Sequence, residues 1–258
     1  MKTARVLWQG QVHNATPVAG QAHRLQLASG QVLQDTEVSW LPPFEVGTLI
    51  ALGLNYADHV KELAKELTVT SKDEPLVFLK GPHSVVGHLG HTPRPADAAF
   101  MHYECELAVV IGRETQRVKR AKALDHVAGY TVANDYAIRN FLENYYRPNF
   151  PVKSRDTCTP IGPWLVDARD IDDPQQLHLT THVNGQCTQD GHTRDMIFDV
   201  ASLIEYLSSF MTLGPGDVIL TGTPEGLANV QAGDTVVTEI EGIGRLVHHV
   251  EGDRPEAV

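Results

Sequence analysis

The sequence contains little cysteine: the three in 258 residues are Cys105, Cys158 and Cys187. An odd number without close spacing argues against a disulfide framework and a thiolate zinc site, because both need several thiols at short, regular intervals. We therefore expect all three cysteines to serve as small apolar side chains in the packing of the protein.

Long apolar runs are also missing, because the longest span only a few residues and carry polar interruptions. Such runs are too short to cross a membrane, and residues 1–8 lack the apolar stretch of a signal peptide. We therefore expect a cytoplasmic protein that does not bind membranes.

Positive charge is scarce, with 21 Lys+Arg against 32 Asp+Glu and a net charge of -11. This balance argues against nucleic acids and anionic membranes as partners, because both attract basic surfaces. An anionic small molecule remains compatible with it, because a divalent ion and a few local cations can make one pocket positive.

Short apolar runs that alternate with turn residues predict a mainly β protein with a few peripheral helices. Residues 1–45 are expected to form a small N-terminal β region, with a turn at Asn14–Pro17 and a boundary near Pro42 and Pro43. Residues 46–252 would form the main domain and residues 253–258 a tail. Asn184 and Gly185 indicate a tight hairpin. The strands predicted for the main domain are 48–53, 76–79, 106–112, 127–133, 177–183, 217–221, 235–240 and 246–250, with a helical stripe at 196–211.

The main chemical signal is a pair of glutamates, Glu104 and Glu106, at the start of an apolar run, with Asp135 at the end of another. In an extended strand the two glutamates share one face, roughly 7 Å apart at their Cα atoms. Carboxylates this close repel each other unless a cation compensates them. Oxygen ligands without His or Cys favour Mg²⁺ or Mn²⁺, allow Ca²⁺ and disfavour zinc, so the three residues predict a divalent-metal site. The alternative is an exposed acidic strand.

A second candidate is the segment that follows Asn55, which is expected to cap a short helix. His59 and Glu62 lie three residues apart and so share one helical face. A carboxylate beside an imidazole orients it and raises its basicity, which suits proton transfer near neutral pH. The alternative is an ordinary amphipathic helix.

Three further segments carry cations or hydroxyls. Lys80 ends a buried strand and can stabilise an oxyanion, and Lys153 and Arg155 share a face if residues 152–156 are extended. Residues 221–226 combine threonine hydroxyls with a tight glycine turn that could bind a carboxylate. For each, the alternative is ordinary turn chemistry or a solvated side chain.

Taken in order, these segments resemble the fumarylacetoacetate hydrolase superfamily from about residue 47 to residue 250. Segments 136–139, 142–149 and 152–156 are most similar to the C-terminal half, or separate C-terminal subunit, of the isomerase/decarboxylases of 4-hydroxyphenylacetate degradation in that superfamily. Lys80-Gly81-Pro82 departs from the usual Lys-Pro-Pro or Lys-Pro-Ser. The resemblance rests on GLNYADH (53–59), FLK (78–80), YECELAVVIG (103–112), GYTVAND (129–135), VNG (183–185), DMIF (195–198) and FMTLGPGDVILTGTP (210–224).

The resemblance implies a mixed β-roll, usually assembled as a homodimer, with Glu104, Glu106 and Asp135 as ligands of Mg²⁺ or Mn²⁺. The resemblance also allows a second form of assembly, in which a homologous chain is the partner subunit. Residues 1–45 would then supply dimer contacts or cover a sheet edge.

The resemblance also implies roles for residues around the metal. His59 and Glu62 would lie on a segment that closes over the substrate. His59 would transfer a proton, and Glu62 would orient the His59 imidazole. Lys153 would lie beside the metal, and Thr223 would help to hold the substrate carboxylate. Lys80 is a further candidate for substrate binding.

The implied substrate is a 2-oxo polycarboxylate, and Arg139, Arg147 and Arg155 are candidates for its remote carboxylates. The implied reactions are decarboxylation of 5-oxopent-3-ene-1,2,5-tricarboxylate and isomerisation of 2-hydroxyhepta-2,4-dienedioate to 2-oxohept-3-enedioate, through an enolate that the divalent ion stabilises.

Three alternatives to these reactions remain open. A hydrolase that cleaves a carbon–carbon bond of an acylpyruvate could use the same residues, with His59 and Glu62 activating water. A non-catalytic module could hold the ion for structural reasons. A class II aldolase ranks last, because the chain lacks a regular run of alternating strands and helices.

Overall fold

The computed structural model describes residues 1–21, 23–63, 74–141 and 150–253 and confirms a mainly β architecture with peripheral helices. The strands of this part of the chain are β1 (Lys2–Trp8), β2 (Gln11–Pro17), β3 (Arg24–Leu27), β4 (Val32–Gln34), β5 (Ser39–Leu41), β6 (Leu49–Gly53), β7 (Leu76–Lys80), β8 (Val85–Val86), β9 (His91–Pro93), β10 (Met101–His102), β11 (Cys105–Ile111), β12 (Val127–Asn134), β13 (Ala137–Ile138), β14 (Thr159–Asp167), β15 (His178–Val183), β16 (Gln186–His192), β17 (Val218–Leu220), β18 (Thr235–Ile240) and β19 (Gly244–Glu251). The strands predicted for the main domain lie within two residues of their predicted ends.

The helices are short. They are α1 (Ala57–Leu63), α2 (Arg120–Ala123), α3 (Phe150–Lys153) and α4 (Val200–Phe210), the last of which accounts for the predicted helical stripe. No helix in the described ranges is long and apolar enough to cross a membrane.

The larger sheet places β11 near its centre, in the order β4-β3-β2-β1-β14-β12-β11-β17-β6-β7, with β5 beside β1 and β8 beside β14. Every residue of β11 is buried, because β12 and β17 flank the strand and both of its faces are covered. Its valine and isoleucine side chains suit such a position. Glu106 therefore lies on a fully buried strand, with Glu104 just before that strand and Asp135 just after β12.

A smaller sheet has the order β16-β15-β18-β19-β9. Its first two strands form the predicted hairpin, in which Asn184 and Gly185 both have positive φ, at 50° and 83°. The main apolar core contains Leu107 of the larger sheet, Leu179 of the smaller sheet and Leu203 of α4. The core thus joins the two sheets and the helix into one packed unit.

The N-terminal strands form a separate apolar cluster that includes Val6, Leu25 and Trp40. β1 also pairs with β14, so these strands continue the larger sheet. The predicted turn at Asn14–Pro17 is wrong, because these residues belong to β2. The strand pairs with β1 and β3, and this tertiary pairing overrides the local turn preference. The division of the chain at residue 45 stays a prediction.

The cysteines differ in burial. Cys105 and Cys158 are buried, as expected, but Cys187 is exposed, so the prediction for Cys187 is wrong. Cys187 lies on β16, which is an edge strand of the smaller sheet. An edge strand with one face toward solvent leaves every second side chain uncovered.

Candidate metal centre and active site

Three carboxylates meet where β11 begins and β12 ends. The strands are antiparallel with Cys105 opposite Asn134, which places Glu104 across from Asp135. The Asp135 amide donates to the Glu104 carbonyl at 2.9 Å. Glu106 lies two residues along on the face of Glu104. One oxygen from each of the three carboxylates lies within 4.8 Å of the others, and all three residues are buried.

The surroundings of Glu106 fit a metal ligand. The residue is 0% exposed, and its Oε2 accepts a hydrogen bond of 2.6 Å from the Gly222 amide. Its Oε1 is buried and has no hydrogen-bond partner among the described residues. An unpaired buried carboxylate oxygen is costly, and a cation removes that cost. The residues present thus fit a hard divalent ion such as Mg²⁺ or Mn²⁺.

Three cationic side chains contact two of the carboxylates. The Lys153 Nζ lies 2.6 Å from Glu104 Oε2 and 2.8 Å from Asp135 Oδ2. The Lys80 ammonium is fully buried and donates to Asp135 Oδ1 and to the Lys153 carbonyl. The Arg139 guanidinium donates to Glu104 Oε1. Three negative and three positive formal charges cancel, so a divalent ion would leave the site positive.

The two glutamates have opposite pKa shifts. Burial alone would raise the pKa of Glu104, but Lys153, Arg139 and His59 lower it to about 2. The pKa of Glu106 lies well above its usual value, because burial and the carboxylates of Asp135 and Glu104 outweigh the effect of Lys153. Without a cation, Glu106 therefore tends to hold a proton, which metal binding would displace.

Helix α1 brings His59 to this site. His59 is 3% exposed and is one of the charges that lower the pKa of Glu104. Glu62 belongs to the same helix, but its side chain lies outside the described part of the structure. The Asn55 side chain donates to the carbonyls of Phe198 and Thr221 and accepts from the Phe198 amide at 2.8 Å, and its role as a helix cap stays a prediction. These bonds fix the start of the helical segment against the loop after β17.

That loop carries Gly222 and Thr223 next to the carboxylates. Gly222 has a φ of 89°, and a Cβ there would lie 2.8 Å from the Asn55 Cβ, so only glycine fits. Thr223 is 2% exposed, and its hydroxyl accepts a hydrogen bond of 2.9 Å from Gln189 Nε2. Thr223 thus directly follows a residue whose amide is bonded to Glu106, and its role in holding a substrate carboxylate stays a prediction.

Of the two candidate arginines that the structure describes, Arg139 contacts the carboxylates and Arg155 has no described contact with them. Arg155 is exposed, and its guanidinium lies 5.6 Å from the centre of the Phe141 ring. The condition that residues 152–156 are extended is not met, because α3 ends at Lys153 and a bend and a turn follow, so Lys153 and Arg155 do not share a strand face. Arg147 lies outside the described residues. Arg139 is the candidate that reaches Glu104.

Two residues of this region were not predicted from the sequence. His102 precedes Glu104 by two residues, and its Nδ1 lies 3.4 Å from Arg139 Nε. The alternation that paired the glutamates could have indicated it. Gln189 is 1% exposed and contacts the loop of Thr223 from the other sheet, for which no local sequence signal exists.

Comparison with known proteins places these features in a family. Residues 48–251 match the family model "Fumarylacetoacetate (FAA) hydrolase C-terminal". The chain is 54% identical over 224 residues to the 4-hydroxyphenylacetate degradation bifunctional isomerase/decarboxylase of Salmonella dublin, which covers 87% of this chain and 51% of that protein. The chain therefore spans about half the length of this curated relative.

Solved structures of similar proteins agree in fold. The 2-hydroxyhepta-2,4-diene-1,7-dioate isomerase of Mycobacterium marinum is 32% identical with a TM-score of 0.85, covering 99% of this chain and 100% of that one. The maleylpyruvate hydrolase of Sphingobium sp. SYK-6, solved with manganese (II) and pyruvate, is 25% identical with a TM-score of 0.81, covering 98% and 100%. The family match and the shared fold show that this chain belongs to the fumarylacetoacetate hydrolase family.

Proposed function

We propose that this chain is a divalent-metal-dependent enzyme that decarboxylates 5-oxopent-3-ene-1,2,5-tricarboxylate and isomerises 2-hydroxyhepta-2,4-dienedioate to 2-oxohept-3-enedioate. The observation that carries the proposal is the buried group of Glu104, Glu106 and Asp135, with Glu106 Oε1 unpaired among the described residues. The isomerase/decarboxylase name of the relative at 54% identity supports the choice of reactions.

The metal is proposed to be Mg²⁺ or Mn²⁺, held by Glu104, Glu106 and Asp135. When bound, such an ion acts as a Lewis acid that stabilises negative charge developing on a 2-oxo acid. The Gly222 amide holds Glu106 Oε2 in place, and Lys80 does the same for Asp135 Oδ1. Because the Lys80 side chain is fully buried against Asp135, we assign it to the support of this ligand.

The charge of the site favours a substrate with several carboxylates. The cations of Lys80, Lys153 and Arg139 already offset the three acidic residues, so the ion adds uncompensated positive charge. We propose that Arg139 binds a remote carboxylate of the substrate, because among the candidate arginines in the described part of the chain it is the one that contacts the site. Thr223 would bind the carboxylate next to the keto group.

Proton transfer is assigned to α1. His59 is buried near Glu104, and its position suits a donor that returns a proton to a distal carbon of the substrate. Glu62 is proposed to orient it. The Lys153 ammonium, 2.6 Å from Glu104 and 2.8 Å from Asp135, would stabilise the negative charge of the enolate.

Hydrolysis of an acylpyruvate is a second candidate, supported by the similarity to a maleylpyruvate hydrolase. Product analysis separates the two. Purified protein with Mg²⁺ is incubated with the tricarboxylate and, separately, with an acylpyruvate, and CO₂ release and the carbon skeleton are followed by NMR. We expect CO₂ and a seven-carbon diacid from the tricarboxylate. Two shorter acids without CO₂ would favour hydrolysis and reject the decarboxylase proposal.

The assembly is proposed to be a homodimer in the cytoplasm. A homologous partner chain is the alternative, because the isomerase/decarboxylase of Salmonella dublin is about twice as long as the region that matches this chain. Size-exclusion chromatography with light scattering tests this directly: twice the mass of one chain supports the homodimer, and the mass of one chain contradicts it.

A further inference from the structure

Gln189 links the smaller sheet to the loop that carries Thr223. Its side chain is 1% exposed and uses both ends of the amide. The Oε1 accepts from Thr181 Oγ1 at 3.1 Å and from the Cys105 amide at 3.4 Å. The Nε2 lies 2.9 Å from Thr223 Oγ1 and 2.9 Å from the Pro224 carbonyl. A buried amide with partners at both ends has one orientation.

The Pro224 carbonyl fixes which end of the amide faces the loop. A carbonyl oxygen can only accept, so the group beside it must be the amide nitrogen of Gln189. The same nitrogen therefore donates to Thr223 Oγ1. A hydroxyl has one proton, and no described residue accepts the proton of Thr223. Thr223 is thus left as a donor beside the carboxylate group.

We propose that Gln189 is a positioning residue that makes the Thr223 hydroxyl a hydrogen-bond donor to the substrate carboxylate. This inference rests on the proposed function, in which Thr223 binds that carboxylate. The location supports it, because Thr223 follows Gly222, whose amide donates to Glu106, and Gln189 accepts from the amide of Cys105, which lies between Glu104 and Glu106. An ionised acceptor strengthens such a bond.

A buried row of polar side chains holds Gln189 in place. Thr181 Oγ1, which donates to Gln189, lies 3.4 Å from Thr238 Oγ1, and Thr238 donates to Asn134 Oδ1 at 3.0 Å. Thr181, Thr238 and Asn134 are all 0% exposed. Asn134 immediately precedes the carboxylate of Asp135. The row therefore fixes the Thr223 donor relative to the end of β12 that carries a metal ligand.

The test is a double-mutant cycle with Q189E and T223V. A glutamate at position 189 accepts the Thr223 proton, so the substrate loses its donor. Each variant should weaken binding of pyruvate, measured by calorimetry with Mg²⁺, roughly tenfold or more. The double variant should bind no more weakly than the weaker single variant, because both remove the same bond. For the tricarboxylate, KM should rise by a similar factor, with kcat changing much less.

The matched control is Q175E. Gln175 also bridges backbone groups, donating to the Thr193 carbonyl at 2.8 Å and accepting from the Val200 amide at 2.9 Å, and neither partner belongs to the candidate metal centre or to the loop of Thr223. The Q175E substitution should lower thermal stability without changing the affinity for pyruvate. If Q189E does not fold, Q189M replaces it, with the same expected non-additivity.

The inference would be overturned if folded Q189E or Q189M bound pyruvate with unchanged affinity. It would also be overturned if the fold-losses of affinity in the two single variants multiplied in the double variant. Absence of pyruvate binding by the unmodified protein would also overturn it. Failure to turn over the tricarboxylate would reject the proposed function alone, because the pyruvate titration still reports on Gln189 and Thr223.

Discussion

Replacing Glu106 by glutamine should stabilise the metal-free protein and destabilise the metal-loaded one. Glutamine keeps the shape and can still accept the hydrogen bond from the Gly222 amide, but it does not ionise, so the metal-free site neither carries a third buried charge nor takes up a proton to remove that charge. Two unit charges 4.8 Å apart repel by about 3 kcal/mol at an effective dielectric constant of about 20. Lys153 offsets part of that repulsion. We therefore expect E106Q to raise the free energy of unfolding by roughly 1–3 kcal/mol in a chelator.

The pH dependence of this gain has a defined sign. Because the folded-state pKa of Glu106 is raised above its ordinary value of 4.5, the folded protein binds a proton at pH values where the unfolded chain does not. The destabilisation by Glu106 is therefore present at neutral pH and disappears as the pH falls below about 4.5. The advantage of E106Q in a chelator should accordingly shrink between pH 7 and pH 5.

Metal should reverse the order of stability. An ion at 100 times its dissociation constant stabilises the unmodified protein by about 2.7 kcal/mol, and E106Q loses most of this gain. Urea denaturation with EDTA and with MgCl₂ measures both effects. E45Q is the matched control, because the side chain of Glu45 is 91% exposed. Equal responses of E106Q and the unmodified protein to Mg²⁺, or a loss of stability by E106Q in EDTA, would refute the reasoning.

Three further predictions concern the metal support, the buried histidine and the substrate. G222A should weaken Mn²⁺ binding roughly tenfold or more in a calorimetric titration, whereas G185A, whose Cβ meets nothing within 4 Å, should not change it. His248 is fully buried with a pKa lowered to about 3, chiefly by burial, so stability should fall as the pH drops from about 6.5 towards 3, by up to about 1.4 kcal/mol per pH unit. Urea denaturation at pH 7 and pH 5 should show that the free energy of unfolding falls less for H248Q than for the unmodified protein. An equal fall would show that His248 does not cause the pH dependence. R139Q should raise KM for the tricarboxylate roughly tenfold or more, while R155Q should leave it within about twofold, and equal effects would reject the assignment of Arg139.

Much of the site was predictable because it lies on regular strands. The two-residue repeat places Glu104 and Glu106 on one face, and the apolar runs beside them identify β11 and β12 correctly. Antiparallel pairing of consecutive strands then brings Asp135 across from Glu104. These steps depend on local periodicity and on the pairing of neighbouring strands, and both leave a signal in the sequence.

The rest depends on contacts between distant segments. Gln189 reaches Thr223 only because β16 packs against the loop after β17, and nothing near residue 189 indicates that contact. The strand at Asn14–Pro17 and the helical turn at Lys153 were missed for the same reason, since pairing or packing overrides the local preference. Residues 142–149 with Arg147, and the side chain of Glu62, lie outside the described part of the structure.

The most direct test of the account is anomalous diffraction from crystals of this protein soaked with Mn²⁺. We predict one ion per chain, within coordination distance of an oxygen from each of Glu104, Glu106 and Asp135, including the Glu106 Oε1 that has no described partner. An anomalous peak elsewhere, or no peak at these three carboxylates at saturating Mn²⁺, would contradict it.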